Sequence, residues 1–424
     1  MSVAPTWLSG EGWRHADSGI EGLYSSDLAL EVARRAEAAH LDFVFRPDAM
    51  FLPMPVMAQS FGFSSLDPTL LLASIARETR RIGLVTTIST TFGHPYHAAR
   101  QLMSLHWLSH GRAGWNAVTA LQGNENFGLP EMPSSETRYA RAGEFAEVVR
   151  RLWASFPAEA LLVDRAAGHY ADTDLILPID HRGPQFHVKG PMNLPQYPGP
   201  DIPLMQAGGS SLGVDFAGQV ADMVFGMTPD LPNALETRRQ LSERALAHGR
   251  QPRDVRLLPA LSLYLGETRD EARALFLATH ARVDRAQRLR LVQDFLGLDL
   301  ADWPIDRPIT PADLPDGHRS PRCASQCEAL RRIVREHRPT PDALLARSEL
   351  LASVHWQVVG TAEDAVAEIA DWFRAGAIDG FIAVPGGSRR SLDLLLQAVI
   401  PRLVQQGLFR ARYAAETLRG HLQE

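Results

Sequence analysis

Four short polar clusters hold the side chains most able to do chemistry: Asp48; Ser89, Thr90 and Thr91; Asn116 with Thr119; and Gly208, Gly209, Ser210 and Ser211. Each stands just after a short apolar run. Taken singly, such residues cap helices and close turns in most proteins. Their shared placement describes one polar rim. The Gly-Gly-Ser-Ser turn says most, because two glycines let a backbone approach a ligand closely. The hydroxyls and open N–H groups at the start of the next helix suit a phosphate. Arg138 and Tyr139, at another helix start, add a guanidinium and a phenol for the same anion. His15 and His94 are candidate proton donors or substrate ligands, with a hydrogen-bonded structural histidine as the alternative for each. There is no Ser-His-Asp order and no close carboxylate pair. The two cysteines, Cys323 and Cys327, make no disulfide framework, and the 15 histidines include no HExxH, so no metal is expected.

A rim of this kind needs elements that end together. Short β-type runs alternate along the chain with amphipathic helical windows. Strands are expected at Val3–Leu8, Leu41–Phe45, Ile82–Ile88, Ala113–Val118, Pro203–Ala207, Asp222–Phe225, Leu257–Leu265 and Gly380–Val384. Asp67 followed by Pro68 starts one helix, another is expected from near Tyr139, and Thr361 with Asp364 forms a capping-box start to a third. Eight βα units predict an α/β fold, a TIM (β/α)8 barrel with insertions after strands 4 and 7, and the C-terminal strand ends then gather the polar clusters. A doubly wound sheet is less well supported, since no GxGxxG follows the first strand. One domain over residues 1–424 is expected, its insertions at approximately 156–200 and 295–350, both read as irregular.

Composition narrows the function further. With 45% hydrophobic and 22% charged residues, the chain has the apolar content for a large core. Forty-three Lys+Arg against 49 Asp+Glu, in no long single-sign run, argues against nucleic acid or an anionic membrane as partner. No signal peptide is visible, and no apolar run approaches the roughly 18 residues of a membrane span. A cytoplasmic location is the expectation.

Longer motifs then carry a resemblance. Phe43 to Asp48 ahead of Ala49-Met50, Ile82 to Thr91, Pro95-Tyr96-His97, and Gly111-Arg112-Ala113-Gly114-Trp115-Asn116 are similar to the bacterial-luciferase-like flavin monooxygenases, in the nitrilotriacetate monooxygenase group. Asn126-Phe127-Gly128, Arg138-Tyr139, Gln206-Ala207-Gly208 and the tail Gly407 to Arg410 with Tyr413 and Thr417-Leu418-Arg419 extend the match over nearly the whole chain. The resemblance implies an enzyme that binds reduced flavin mononucleotide (FMNH2) and uses dioxygen to oxygenate a small organic substrate. It also implies a separate NAD(P)H-dependent flavin reductase as partner. Carried over, Asp48 lies by the flavin ring, Thr90 or Thr91 and Asn116 along the ring and ribityl chain, and Tyr139, Gly208 and Ser210, with Arg138, near the phosphate. A homo-oligomer is plausible from apolar helices on a barrel exterior.

Two positions depart from the family pattern. Ser135 stands where the family often has a histidine four residues before the tyrosine, and Met1 to Leu8 is a shorter, less apolar first strand. The competing readings are a deazaflavin-dependent oxidoreductase on the same barrel and a flavin-binding protein without catalysis.

Overall fold

The computed structural model describes residues 1–318, 324–351 and 355–423. Cys323 lies outside them. The frame is a curled parallel sheet of eight strands: β1 (Phe43–Arg46), β2 (Gly83–Ser89), β3 (Ala113–Val118), β4 (Leu204–Ala207), β5 (Met223–Gly226), β6 (Arg256–Leu265), β7 (Trp356–Gly360) and β8 (Ile382–Pro385). The first six pair in chain order. β7 and β8 both pair with residues 261–263 of β6, so they lie on its two edges.

The N-terminal residues span the gap between β8 and β1. Ser2 bridges Phe45, Val3 N–H donates to the Phe45 carbonyl at 2.9 Å, and Ser2 N–H donates to the Ala383 carbonyl at 3.1 Å. The expected strand Val3–Leu8 is therefore corrected to a short bridge at Ser2, with Thr6–Leu8 in a 3-10 turn. Pro5 explains the change, because it has no N–H to continue a ladder. β7 was not expected at all. Its five residues follow a proline-rich stretch, and they alternate buried and half-buried positions with only Trp356, Val358 and Gly360 fully inside.

Registry decides what fills the sheet's concave side. Phe45 pairs with Val85, Val85 with Gly114, Thr87 with Asn116, Asn116 with Met205, and Met205 with Met223. Phe43, Phe45, Val85, Met205, Met223, Leu258, Ile382 and Leu418 form one buried cluster, so the lower layers are apolar. Side chains alternate with period two, which puts Thr87 and Asn116 on that same inward face, one step nearer the C-terminal ends. Leu418 enters from below. A Cβ on Gly83 would come within 2.6 Å of it, and one on Gly114 within 2.7 Å, which is why both positions are glycine. Around Leu418 the tail is fastened by Arg419 on Asp222 at 2.8 Å, by Tyr413 Oη on the Leu41 carbonyl at 2.6 Å, and by Arg410 on Asp42. The N-terminal end of the sheet is thereby closed, leaving the other end to function.

Helices cover the outside and start where cap chemistry dictates. Asp67 accepts from Leu70 N–H at 2.9 Å ahead of the helix Pro68–Glu78, and Thr361 with Asp364 makes the capping box of Ala362–Arg374. The helix expected from near Tyr139 begins earlier, at Ser135, capped by Ser134. Arg138 and Tyr139 thus lie inside it rather than at its edge. The 156–200 stretch holds two small hairpins, Leu161–Asp164 with His169–Ala171 and His181–Arg182 with His187–Val188. The 295–350 stretch is not irregular throughout. Ala324–His337 is a helix whose Leu330, Ile333 and Val334 pack on Val292, Phe295 and Leu296, and Pro311 and Pro341 stand at the starts of short helical turns. No helix among the described residues is long and apolar enough to cross a membrane.

Candidate active site

At the C-terminal strand ends, loops after β1, β2, β3 and β4 meet. Thr90 N–H and Oγ1 both donate to the Val118 carbonyl, at 2.9 and 3.2 Å, and Thr91 Oγ1 accepts from Ala120 N–H at 3.0 Å. The two threonines therefore stitch the β2 loop to the β3 loop. Beneath them Asn116 Nδ2 donates to Thr87 Oγ1 at 3.0 Å, and Thr87 Oγ1 donates to the Arg46 carbonyl at 2.6 Å. That leaves Asn116 Oδ1 buried without a hydrogen-bond partner. A buried acceptor of this kind costs about 1–3 kcal/mol unless something supplies a donor.

The turn after β4 forms a cradle. Ser210 caps the helix Ser211–Val220, its Oγ accepting from Gly213 N–H at 3.1 Å, and the other N–H groups of a helix's first turn have no partner within the helix. Tyr139 Oη stands against this turn: a Cβ on Gly208 would lie 2.8 Å from it and one on Gly213 2.7 Å. Only glycine admits the phenol there. Tyr139 also lines an outer groove of about 860 Å³ with Leu212 and Phe216. The structure thus brings Tyr139, Gly208 and Ser210 together at the end of β4, next to Asn116 on β3 and the Thr90–Thr91 loop after β2.

Arg138 is placed differently. Its Nη1 donates to the Ala120 carbonyl and its Nη2 to Ser135 Oγ at 3.0 Å, so it holds the β3 loop to the helix. Ser135, in the family's histidine position, is spent on that arginine. Asp48 stands half-buried in the loop after β1. Burial pushes its carboxyl up and Asp67 adds to this, while the Ala49 N–H and Arg46 pull it back. His94 caps the helix Pro95–Leu108 through Nδ1, 3.3 Å from Tyr96 N–H, and its ring meets Phe186 edge-on. Burial, with His97 and Arg141 nearby, holds His94 below its ordinary value. His15 is exposed just after the turn Gly12–Arg14.

Two contributors escape a reading of the sequence. Arg141 donates from Nε to the carbonyls of Thr90 and Thr91, at 3.2 and 3.1 Å, and lies over the Phe186 ring at 4.3 Å. The one signal for it is its spacing, three residues after Arg138 on the same helix. Thr87 is the other, and it is found only through its register with Asn116. Arg112, by contrast, does no work at the rim. It is buried at the closed end, donating to the carbonyls of Ser109, Ile82, Ala76 and Thr79, where it ties two helix ends to β2. Among the described residues no group of three or more His, Cys, Asp or Glu is placed to hold a metal ion.

Residues 11–379 match the luciferase-like monooxygenase family. The chain is 32% identical to the dibenzothiophene-sulfone monooxygenase of Rhodococcus erythropolis, over 97% of this chain and 92% of that one. It is 33% identical to nitrilotriacetate monooxygenase component A of Aminobacter aminovorans, with the same coverage. Among solved structures it superposes on a riboflavin lyase holding modified FMN and riboflavin with a TM-score of 0.81, at 29% identity, covering 98% of this chain and 92% of that one.

Proposed function

The chain belongs to the luciferase-like monooxygenase family, and from that premise we propose that it is the oxygenating component of a two-component system, taking FMNH2 from a separate NAD(P)H-dependent flavin reductase. The reduced flavin supplies two electrons and two hydrogens to dioxygen; one oxygen atom enters a small organic substrate and the other leaves as water. The observation that carries this reading is the pairing of a glycine-serine turn at a helix N-terminus, closed by the Tyr139 hydroxyl, with a buried, unpartnered amide oxygen on one rim.

Each residue then has a task. Gly208, Ser210 and the helix N-terminus hold the phosphate with Tyr139, using neutral donors. Asn116 Oδ1 is the acceptor that would take a donor from the flavin, which would remove the cost of leaving it unpaired. Thr90 and Thr91 set the loop that lines the ring, while Arg138 and Arg141 position those loops through backbone carbonyls. Asp48 stands by the ring at the mouth. His94 spends Nδ1 on its helix cap, so His15 is the histidine with more freedom to exchange a proton with substrate. The reading includes a cytoplasmic, homo-oligomeric enzyme and a relative's designation as component A supports the partner.

Titrating the purified protein with oxidised flavin mononucleotide, and anaerobically with the reduced form, tests this by fluorescence and absorbance. Binding of both is expected, with the reduced form tighter, followed by oxygen uptake on mixing with air-saturated buffer. If neither form binds, or a deazaflavin binds in preference, the reading is overturned.

A further inference from the structure

The mouth of the barrel has a chemical character of its own. Residues 47–76 after β1 contain no Lys, Arg or His, and neither do residues 113–137 through and after β3. Their charges are all negative: Asp48, Asp67, Glu125, Glu131 and Glu136. The turns 208–210, 227–230 and 386–388, after β4, β5 and β8, contain no Lys or Arg either. Several cations near the rim are engaged by the protein, while Arg46 at the end of β1 keeps a buried Nε without a partner beside Asp48. Arg141 and Arg138 are held by loop carbonyls, and Arg332 by Asp230.

The same loops expose apolar side chains. Leu121 is 76% exposed, Met54 69%, Phe63 56% and Phe127 45%. The β1 and β3 loops that carry these side chains are joined by Asn126 Nδ2 on the Met50 carbonyl at 2.8 Å. Phe127 stacks on Phe92 with centroids 4.3 Å apart and planes 6° apart, which sets a flat aromatic wall beside the Thr90–Thr91 loop. Exposed apolar side chains gathered on the loops of a site bear on what it binds.

We infer that the substrate is a neutral molecule with a flat, aromatic body, and that a polycarboxylate is rejected. The inference rests on the flavin reading above and deepens it. An anionic substrate would enter past five carboxylates, and the loops named above hold no Lys or Arg to receive it, whereas a neutral ring loses little at that entrance and gains a stacking face. The charge pattern therefore separates this chain's site from what the name of its nitrilotriacetate relative implies for that enzyme.

Binding to the flavin-loaded protein tests it, with dibenzothiophene sulfone and biphenyl as neutral aromatic probes and nitrilotriacetate as the anionic one. Tryptophan-fluorescence titration is expected to show saturable binding of a neutral probe and none of nitrilotriacetate. Phe127→Ala is expected to weaken the neutral probe about tenfold while leaving flavin affinity unchanged. Binding of nitrilotriacetate at equal or greater strength overturns the inference, as does failure of both neutral probes, or an unaltered affinity in Phe127→Ala. So does a Leu121→Glu variant that changes the sedimentation coefficient but not probe binding, since the patch would then be covered by a second copy. Loss of flavin binding in the wild type would instead sink the flavin reading, so the two failures are told apart.

Discussion

At Gly208 the backbone conformation is one any residue adopts, and the need for glycine comes wholly from what stands above it. The Tyr139 hydroxyl and the Gln206 amide occupy the space of a Cβ. Both are the far ends of side chains, so Gly208→Ala is expected to move them rather than unfold the protein. Flavin mononucleotide affinity should fall about tenfold with little change in thermal midpoint. Adding Tyr139→Phe to Gly208→Ala removes the hydroxyl's part of the collision and leaves that with the Gln206 amide, so the double variant should lose less than the two singles together. Additive losses in a fluorescence titration would show that the phenol and the turn do not share a ligand. At this scale the turn and helix start were readable from residue types, since glycine favours turns and serine caps helices. That Tyr139 closes it was not, because four strands' worth of packing separates the two segments in sequence.

The elements show a different economy, in which one residue from the tail sets constraints on two strands. Leu418 is fully buried beneath Gly83 of β2 and Gly114 of β3. Leu418→Ala should cost about 2–5 kcal/mol through the cavity it leaves. Gly114→Ala should cost about 1–3 kcal/mol by overpacking against Leu418 and Val85. The double variant is expected to cost clearly less than the sum, because each change makes room for the other. Urea unfolding of the three variants checks this; strict additivity would place Leu418 away from the glycine. Strand positions were mostly legible, with Ala113–Val118 found as expected. β7 escaped, being five residues long with Gln357 as its second, since period-two patterning over so short a run is weak.

For the whole molecule, buried histidines set a pH dependence. Burial holds His106 at about 4, with the Pro200 carbonyl and Asp201 pulling it back and Arg419 lowering it further. Burial likewise holds His355 at about 4. Both are neutral in the folded protein down to that value, while in the unfolded chain they take up a proton below about 6.5. Between these limits the unfolded state binds more protons, so stability falls as pH drops from about 6.5 toward 4, by up to roughly 3 kcal/mol for each. His106→Gln keeps a donor for the Pro200 carbonyl but cannot titrate, so its acid loss should be shallower than wild type. Parallel losses in urea unfolding at pH 7, 5.5 and 4.5 would remove His106 from the account.

The residues of the rim, the alternation of strand and helix and the closed polar pattern after each strand were all present in the linear order, because cap, turn and periodicity rules act over a few residues. Asp67-Pro68 and Thr361-Asp364 start helices where local chemistry says they must. What tertiary structure alone decided is which of the polar groups are left with something to do. Thr90 and Thr91 are satisfied by the neighbouring loop and Arg138 by Ala120, whereas Asn116 keeps an oxygen free because Thr87 takes only its amide hydrogen. Hydrogen-bond satisfaction depends on partners tens of residues away, brought within 3 Å by sheet register, and no local rule of the chain encodes that count.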